Sequence, residues 1–334
     1  MTVMVQRSTI GLAAIFLLIS AVAINSARAQ TVYLWSNDFP RTDFAQRSID
    51  LGEFVTYGRK DSIPPIDNPS FALVADIGDI GELEPVVSIG IDGDFRAYPL
   101  RVLLYHEIIN DMVGGVPVVV TYCAFCNSGI VFDRRLDGRV LEFGNTGTYR
   151  HFGMVMYDKQ TQSWWQQFMG EAIIGELLGR ELEFIPARIE SLARFRERAP
   201  DGLVLIPDAA SRRPYGRTPY GGYDQPVPLS VARERFPYDI PPDVNPMDRF
   251  VIVGGEAWSV DLVRERGTLE SGDLLLTWEP GQNSVYDKQI IAEGRDVGNI
   301  VVQRKTKAGL EDVRYEVSFA FTFAAFVPDG TLHR

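Results

Sequence analysis

Cys123 and Cys126 stand three apart in Tyr122-Cys123-Ala124-Phe125-Cys126-Asn127, and they are the only cysteines in the chain. Thiols are the softest ligands and the most easily oxidised groups that a protein carries. A Cys-x-x-Cys pair therefore reads as a metal clip or a redox dithiol. The bland alternative is a structural disulfide, but a bridge between such close neighbours restrains little unfolded-chain entropy. Of the three histidines, His106, His151 and His333, His106 lies nearest upstream, and it completes the candidate metal set His106, Cys123 and Cys126. Two sulfurs and one imidazole suit copper or zinc, and three protein ligands leave a coordination position open. Glu107, Asp111 and His151 are candidates for a fourth ligand, a partner orienting the imidazole, or a general base. The chain has neither a Gly-rich phosphate loop nor a Gly-x-Ser-x-Gly elbow, so nothing points to a nucleotide cofactor or a serine nucleophile.

The elements that must position these residues follow from periodicity. Residues 86–91, the Asp92-Gly93 turn and residues 95–98 give a hairpin signal. Pro99 opens a helix carrying Leu100, Leu103, Leu104 and Ile108 at helical spacing, with Gly114-Gly115 as its stop. On such a helix His106 and Asn110 share one face, and Glu107 and Asp111 share another. Residues 116–122 are rich in β-branched side chains and form a strand that ends at the cysteines. Residues 129–134 return from it. The short-strand pattern continues to residue 174. The expected fold class is α+β, predominantly antiparallel β.

A repeat organises the chain. Thr121-Tyr122-Cys123-Ala124-Phe125-Cys126-Asn127-Ser128 aligns without gaps on Thr277-Trp278-Glu279-Pro280-Gly281-Gln282-Asn283-Ser284, and Val131-Phe132-Asp133 follows onto Val285-Tyr286-Asp287. Upstream, residues 93–100 align on 255–262. Two related β-rich units result, the second degenerate, with Glu279 and Gln282 in place of the cysteines. The expected divisions are a signal peptide at 1–29, an irregular wrapping segment at 30–85, the motif-bearing unit at 86–240 and the second unit at 241–334.

The signal peptide is read from Arg7, an apolar run of about fifteen residues and Ala27-Arg28-Ala29 before Gln30. That run suits export and falls short of a membrane span. The expected location is the periplasm or the medium, with no stable membrane span in the mature chain. A net charge of −11 argues against a nucleic-acid partner, and 46% apolar residues argue against disorder. The remaining partner class is a small molecule or a metal ion. Trp164-Trp165 and the cluster Tyr215, Tyr220 and Tyr223 form a candidate aromatic surface for an extracellular ligand or glycan.

Several of these stretches, taken in order, carry a resemblance. Tyr98-Pro99-Leu100-Arg101, His106-Glu107-Ile108-Ile109-Asn110-Asp111, Thr121-Tyr122-Cys123 with Cys126-Asn127-Ser128, Val131-Phe132-Asp133-Arg134, Phe143-Gly144 with Gly147, and Met156-Tyr157-Asp158 with Thr161 and Trp165 resemble the domain-of-unknown-function family 3179. The likeness runs from about residue 86 to 223. The family more usually shows Pro-Leu between the cysteines, where this chain has Ala124-Phe125. The resemblance implies a motif map and no established activity. Three functions fit the residues: a soft-metal protein, a metal-free thiol–disulfide protein, and a ligand-binding module using the Trp and Tyr side chains.

Overall fold

Three two-residue turns set the local pattern. Asp92-Gly93, Gly114-Gly115 and Asp137-Gly138 each hold positive φ at both positions, the geometry whose twist matches a pair of antiparallel strands. The computed structural model describes residues 32–225 and 228–334, and the expected signal at 1–29 lies outside the described residues. The chain runs through β1 (Phe54–Thr56), β2 (Ser70–Leu73), β3 (Pro85–Ile91), β4 (Asp94–Pro99), α1 (Leu100–His106), β5 (Ile108–Val113), β6 (Val116–Cys123) and β7 (Ser128–Asp133). A small hairpin, β8 (Arg135–Leu136) and β9 (Arg139–Val140), leads to β10 (Phe143–Arg150), β11 (Gly153–Asp158), β12 (Trp164–Gln166) and β13 (Glu171–Ile174). Then come β14 (Phe184–Ile185), β15 (Arg188–Ser191), α2 (Leu192–Arg198), β16 (Leu203–Ile206) and, in a long connection, α3 (Leu229–Arg235). The last stretch holds β17 (Arg249–Val253), β18 (Glu256–Ser259), α4 (Val260–Arg266), β19 (Thr268–Ser271), β20 (Leu274–Glu279), β21 (Asn299–Thr306), β22 (Gly309–Asp312), β23 (Glu316–Phe319), α5 (Ala320–Phe326) and β24 (Thr331–His333).

These strands make a β-rich protein with few helices, arranged as a five-bladed β-propeller of small, mainly antiparallel sheets. The blade orders are β1-β10-β11-β12-β13, β14-β7-β6-β5, β15-β3-β4-β16-β2, β23-β17-β18-β24 and β19-β20-β21-β22. Four blades fall into two pairs with one connectivity. A hairpin (β3-β4 or β17-β18) leads through a seven-residue helix into a three-strand meander (β5-β6-β7 or β19-β20-β21). The meander's fourth strand is β14 or β22. The chain then returns to the first blade through a strand, another seven-residue helix and a strand parallel to the hairpin's second strand, β16 or β24; β24 is an edge, whereas β16 is covered by β2. The difference is the blade β10–β13, inserted between β7 and β14 in the first unit.

The structure corrects three expectations of local detail. The helix does not reach Gly114-Gly115: α1 ends at His106, Glu107 takes a left-handed φ of 57° and ψ of −29°, and Ile108 begins β5. Consecutive β-branched Ile108 and Ile109 favour the strand, where they pair with Thr121 and Val120. Gly114-Gly115 is then a hairpin turn, a use that helix-stop chemistry shares. Asn110 therefore does not share a helix face with His106, nor Asp111 with Glu107. Second, Val285, Tyr286 and Asp287 do not form the returning strand. Residues 280–298 intervene, and β21 pairs with β20 from Asn299 opposite Glu279. Third, β18 is two residues shorter than β4, so the helix caps Pro99 and Ser259 correspond, a shift of two from the gapless alignment.

The largest buried apolar cluster draws on four of the five blades and contains both cysteines, while Leu269, Leu276, Ile300 and Val302 of the blade β19–β22 pack in a separate cluster with Val251 and Trp258. A second aromatic cluster packs Trp35, Phe39 and Phe44 around Trp164 in the inserted blade. Among the described residues no helix is long and apolar enough to cross a membrane.

Candidate functional site

Cys123 ends β6 and pairs with Ser128, the first residue of β7, so residues 124–127 form the turn between them. The Cys126 N–H closes that turn on the Cys123 carbonyl at 3.2 Å, and Asn127 leaves it with φ of 54°. Neither cysteine is exposed, and both are free thiols. Their sulfurs face one acceptor: Cys123 Sγ donates to the Phe152 carbonyl at 3.5 Å and Cys126 Sγ at 3.3 Å. Burial pushes the Cys126 thiol well up, and the neighbouring Cys123 sulfur and Glu107 carboxyl add to the rise.

The Phe152 carbonyl points at the sulfurs because of an uncommon turn. His151 and Phe152 join β10 to β11 with φ of 51° and 63°, conformations that cost a bulky non-glycine residue on the order of 1–3 kcal/mol. Packing holds them there: the Phe152 ring lies 4.9 Å from that of Phe236 and 5.7 Å from that of Phe321.

Glu107 adds a charge to this apolar site. Its side chain is fully buried, accepting from Asn145 Nδ2 and from the Tyr149 hydroxyl at 3.0 Å. These donors are neutral. Burial raises the carboxyl pKa from 4.5 to about 7, against the pull of the Tyr149 and Asn145 hydrogen bonds. Tyr149 in turn packs edge-on to Phe125 at 5.0 Å, inside the cysteine turn.

The turn itself is fastened from outside its own sheet. Tyr286 donates to the Ala124 carbonyl at 2.6 Å, Tyr223 to that of Phe125 at 3.0 Å and Ser318 to that of Cys126 at 2.6 Å. Asn127 Nδ2 donates to the Val317 carbonyl at 2.9 Å.

The expected metal set is not brought together as drawn. His106 spends both ring nitrogens elsewhere, with Nδ1 2.8 Å from the Pro64 carbonyl and Nε2 2.8 Å from the Tyr215 hydroxyl. A carbonyl only accepts, so Nδ1 carries the proton, Tyr215 donates to Nε2, and the Ser211 hydroxyl, 3.0 Å from that of Tyr215, donates in turn. Among the described residues no group of three or more His, Cys, Asp or Glu side chains is arranged to hold a metal ion. The physical reason is the early end of α1, which directs His106 to the loop at 211–215 and Glu107 inward. Asp111 is also a structural group, accepting from Arg96 and from the Tyr98 hydroxyl at 2.6 Å. The His151 ring pairs with Glu53 at 3.0 Å, so its residue serves the site only through the turn it shares with Phe152.

The aromatic surface is corrected as well. Trp164 and Trp165 have no exposure, and Trp165 Nε1 donates to Asp158 at 3.1 Å. The strand alternation does place them on opposite faces, but the inserted blade is covered on both. Tyr215 fastens its loop to His106, and Tyr220 and Tyr223 pack against Phe125 at 5.7 and 6.1 Å. Sequence reasoning missed Phe152, Asn145, Tyr149, Tyr286 and Ser318. A backbone acceptor leaves no residue signature. Asn145 and Tyr149 do lie in and beside the stretch from Phe143 to Gly147, which carried the family resemblance.

No curated protein and no solved structure matches this chain. One family profile does, described as a protein of unknown function (DUF3179), over residues 60–330. That span takes in the thiol pair, Glu107, the inserted blade and nearly all of the second unit, so the chain belongs to the DUF3179 family.

Proposed function

We propose that Cys123 and Cys126 are a redox dithiol whose proton is accepted by Glu107. The observation that carries this reading is the convergence of both thiols on the Phe152 carbonyl, with Glu107, whose buried carboxyl has no cationic partner among the described residues, bonded through its backbone carbonyl to the Tyr122 N–H next to Cys123 at 2.8 Å. A thiol reacts as its thiolate. In a site without a cation, passing the Cys126 proton to the Glu107 carboxylate relocates a negative charge without adding one. The co-reactant is a small disulfide. The Cys126 thiolate attacks one of its sulfurs and forms a mixed disulfide, and the first small thiolate leaves and takes up a proton. Cys123 then attacks Cys126 Sγ, gives up its own proton and releases the second small thiol. The sum is one dithiol and one small disulfide converted to one protein disulfide and two small thiols. Export through residues 1–29 belongs to the same proposal, since oxidants act on thiols outside the cytosol.

The two units are, in this reading, copies of one β-rich unit, and the second lost or never carried the thiol chemistry. The convergence of the sulfurs also favours a second reading, a two-sulfur site for copper or zinc with a third ligand from outside the described groups. Free-thiol counts before and after oxidised glutathione, with elemental analysis of the purified protein, separate the two. Loss of two thiols, restored by dithiothreitol, supports the redox pair. Thiols that persist until the protein is denatured overturn it, and stoichiometric copper or zinc puts the metal reading in its place.

A further inference from the structure

The three carbonyls of the cysteine turn that follow Cys123 are each held by a side chain distant in sequence. Ser318 lies 192 residues from Cys126, and Tyr286 lies 162 from Ala124. Both belong to the second unit, whose own turn after β20 carries no thiol. These bonds are formed with the sulfurs reduced. A disulfide needs its sulfurs about 2.05 Å apart with a dihedral near 90°, and the four-residue turn is the backbone that must accommodate that closure. Every peptide plane that turns takes its carbonyl away from Ser318, Tyr286 or Tyr223. Asn127 fixes the exit of the turn on Val317, next to Ser318 in β23.

We propose that the second unit positions the thiol pair, with Ser318 and Tyr286 holding the cysteine turn in its dithiol form and so setting how readily it oxidises. This rests on the redox reading above. Ser318 and Tyr286 touch the backbone and not the reacting sulfurs, so they are positioning residues. The unit without cysteines thereby acquires a role in the chemistry of the unit that has them.

The test is an equilibrium titration of the full chain against reduced and oxidised glutathione, with alkylation and mass measurement of the protein. Ser318→Ala and Tyr286→Phe are expected to shift the equilibrium toward the disulfide by about fivefold each, the worth of one ordinary hydrogen bond. Tyr315→Phe is the control: it removes a hydroxyl bonded to the Ile300 carbonyl at 2.7 Å, also buried in the second unit but away from the turn. It should lower stability and leave the equilibrium at its wild-type value. Should Ser318→Ala fail to fold, Tyr223→Phe removes the Phe125 fastening from a half-buried loop residue and is expected to shift the equilibrium in the same direction. Wild-type exchange with unchanged equilibria in these variants overturns the positioning role and leaves the bonds as fasteners between units. A wild-type protein that forms no reversible disulfide overturns the redox reading itself, and the positioning role with it.

Discussion

Tyr122 and Tyr286 meet hydroxyl to hydroxyl at 2.7 Å, both fully buried, one from β6 and the other from the segment that interrupts the second unit. Two phenolic protons serve three contacts there, because Tyr286 also reaches the Ala124 carbonyl and Tyr122 reaches Asn127 at 3.0 Å. Tyr286→Phe leaves a buried carbonyl without its donor and is expected to cost about 1–3 kcal/mol, the range for an unsatisfied buried partner. Denaturant unfolding measures it. An unchanged midpoint would show that the contact between the units is idle.

Glu107 gives the protein a pH-dependent weakness. Its folded pKa of about 7 exceeds the ordinary 4.5, so between those values the unfolded chain has released a proton that the folded chain still holds. Stability therefore falls as pH rises from 4.5 to about 7, by a total on the order of 3 kcal/mol. Glu107→Gln keeps the shape and removes the titration. The variant is expected to flatten the stability profile across that window and to exceed the wild type at pH 8, as melting from pH 4 to 8 would register.

The thiols should react with an aqueous reagent only through an opening of the native state, the same opening that admits glutathione. Both sulfurs lie in residues without exposure, behind Phe125. A thiol-specific dye is expected to label them only at the rate of an opening motion, far slower than it labels the denatured chain. Labelling as fast as that of a free thiol would place the pair at the surface and contradict the packing.

His106 should matter to the loop at 211–215 and not to the sulfurs. Burial is the main cause that lowers its pKa from 6.5; the nearby Arg213 charge adds to the lowering, and the Pro64 carbonyl opposes it. The unfolded chain then takes up the proton first as pH falls, so stability drops below pH 6.5. His106→Ala is expected to lose about 1–3 kcal/mol for two hydrogen bonds and to leave glutathione-driven oxidation at wild-type level. A loss of thiol chemistry comparable with that of Cys123→Ser would restore His106 to the site.

Glu279 and Gln282 occupy the cysteine positions in the second unit. Glu279 is exposed at its strand end, paired with Arg194, and the Gln282 side-chain oxygen Oε1 has no hydrogen-bond partner among the described residues. Replacing either with Ala is expected to leave thiol oxidation unchanged. An altered glutathione equilibrium in either variant would extend the site beyond the first unit.

Much of this was legible in the residues. Asp92-Gly93 and Asp137-Gly138 announced their turns, the β-branched run from Val118 to Val120 announced β6, and the Thr121 and Thr277 segments announced strands with equal roles in the two units. The end of α1 was not legible, because Leu100, Leu103, Leu104 and Ile108 keep helical spacing through a point where Glu107 reverses the chain. That one residue decided the site: it turned His106 away from the cysteines and itself toward them. The acceptor at Phe152 was hidden for another reason. Positive φ in a phenylalanine is imposed by packing against Phe236 and Phe321, and no local preference foretells it.

The inserted blade has a consequence for how the molecule must be made. Strand β14 joins β7 with Phe184 opposite Phe132, so the intervening residues, including all of β10–β13, leave and re-enter one sheet edge. That blade supplies Asn145, Tyr149 and Phe152, while the flanking sheet supplies the thiols and Glu107. A nascent chain that stops before residue 153 carries two reduced cysteines with no acceptor facing them, and a ribosome must add the whole loop-out before the pair has its surroundings. The interval between making the cysteines and burying them is thus written into the order of the strands, and it lasts beyond β11, because Tyr223, Phe236, Tyr286, Ser318 and Phe321, which hold the turn and the Phe152 carbonyl, are made later still.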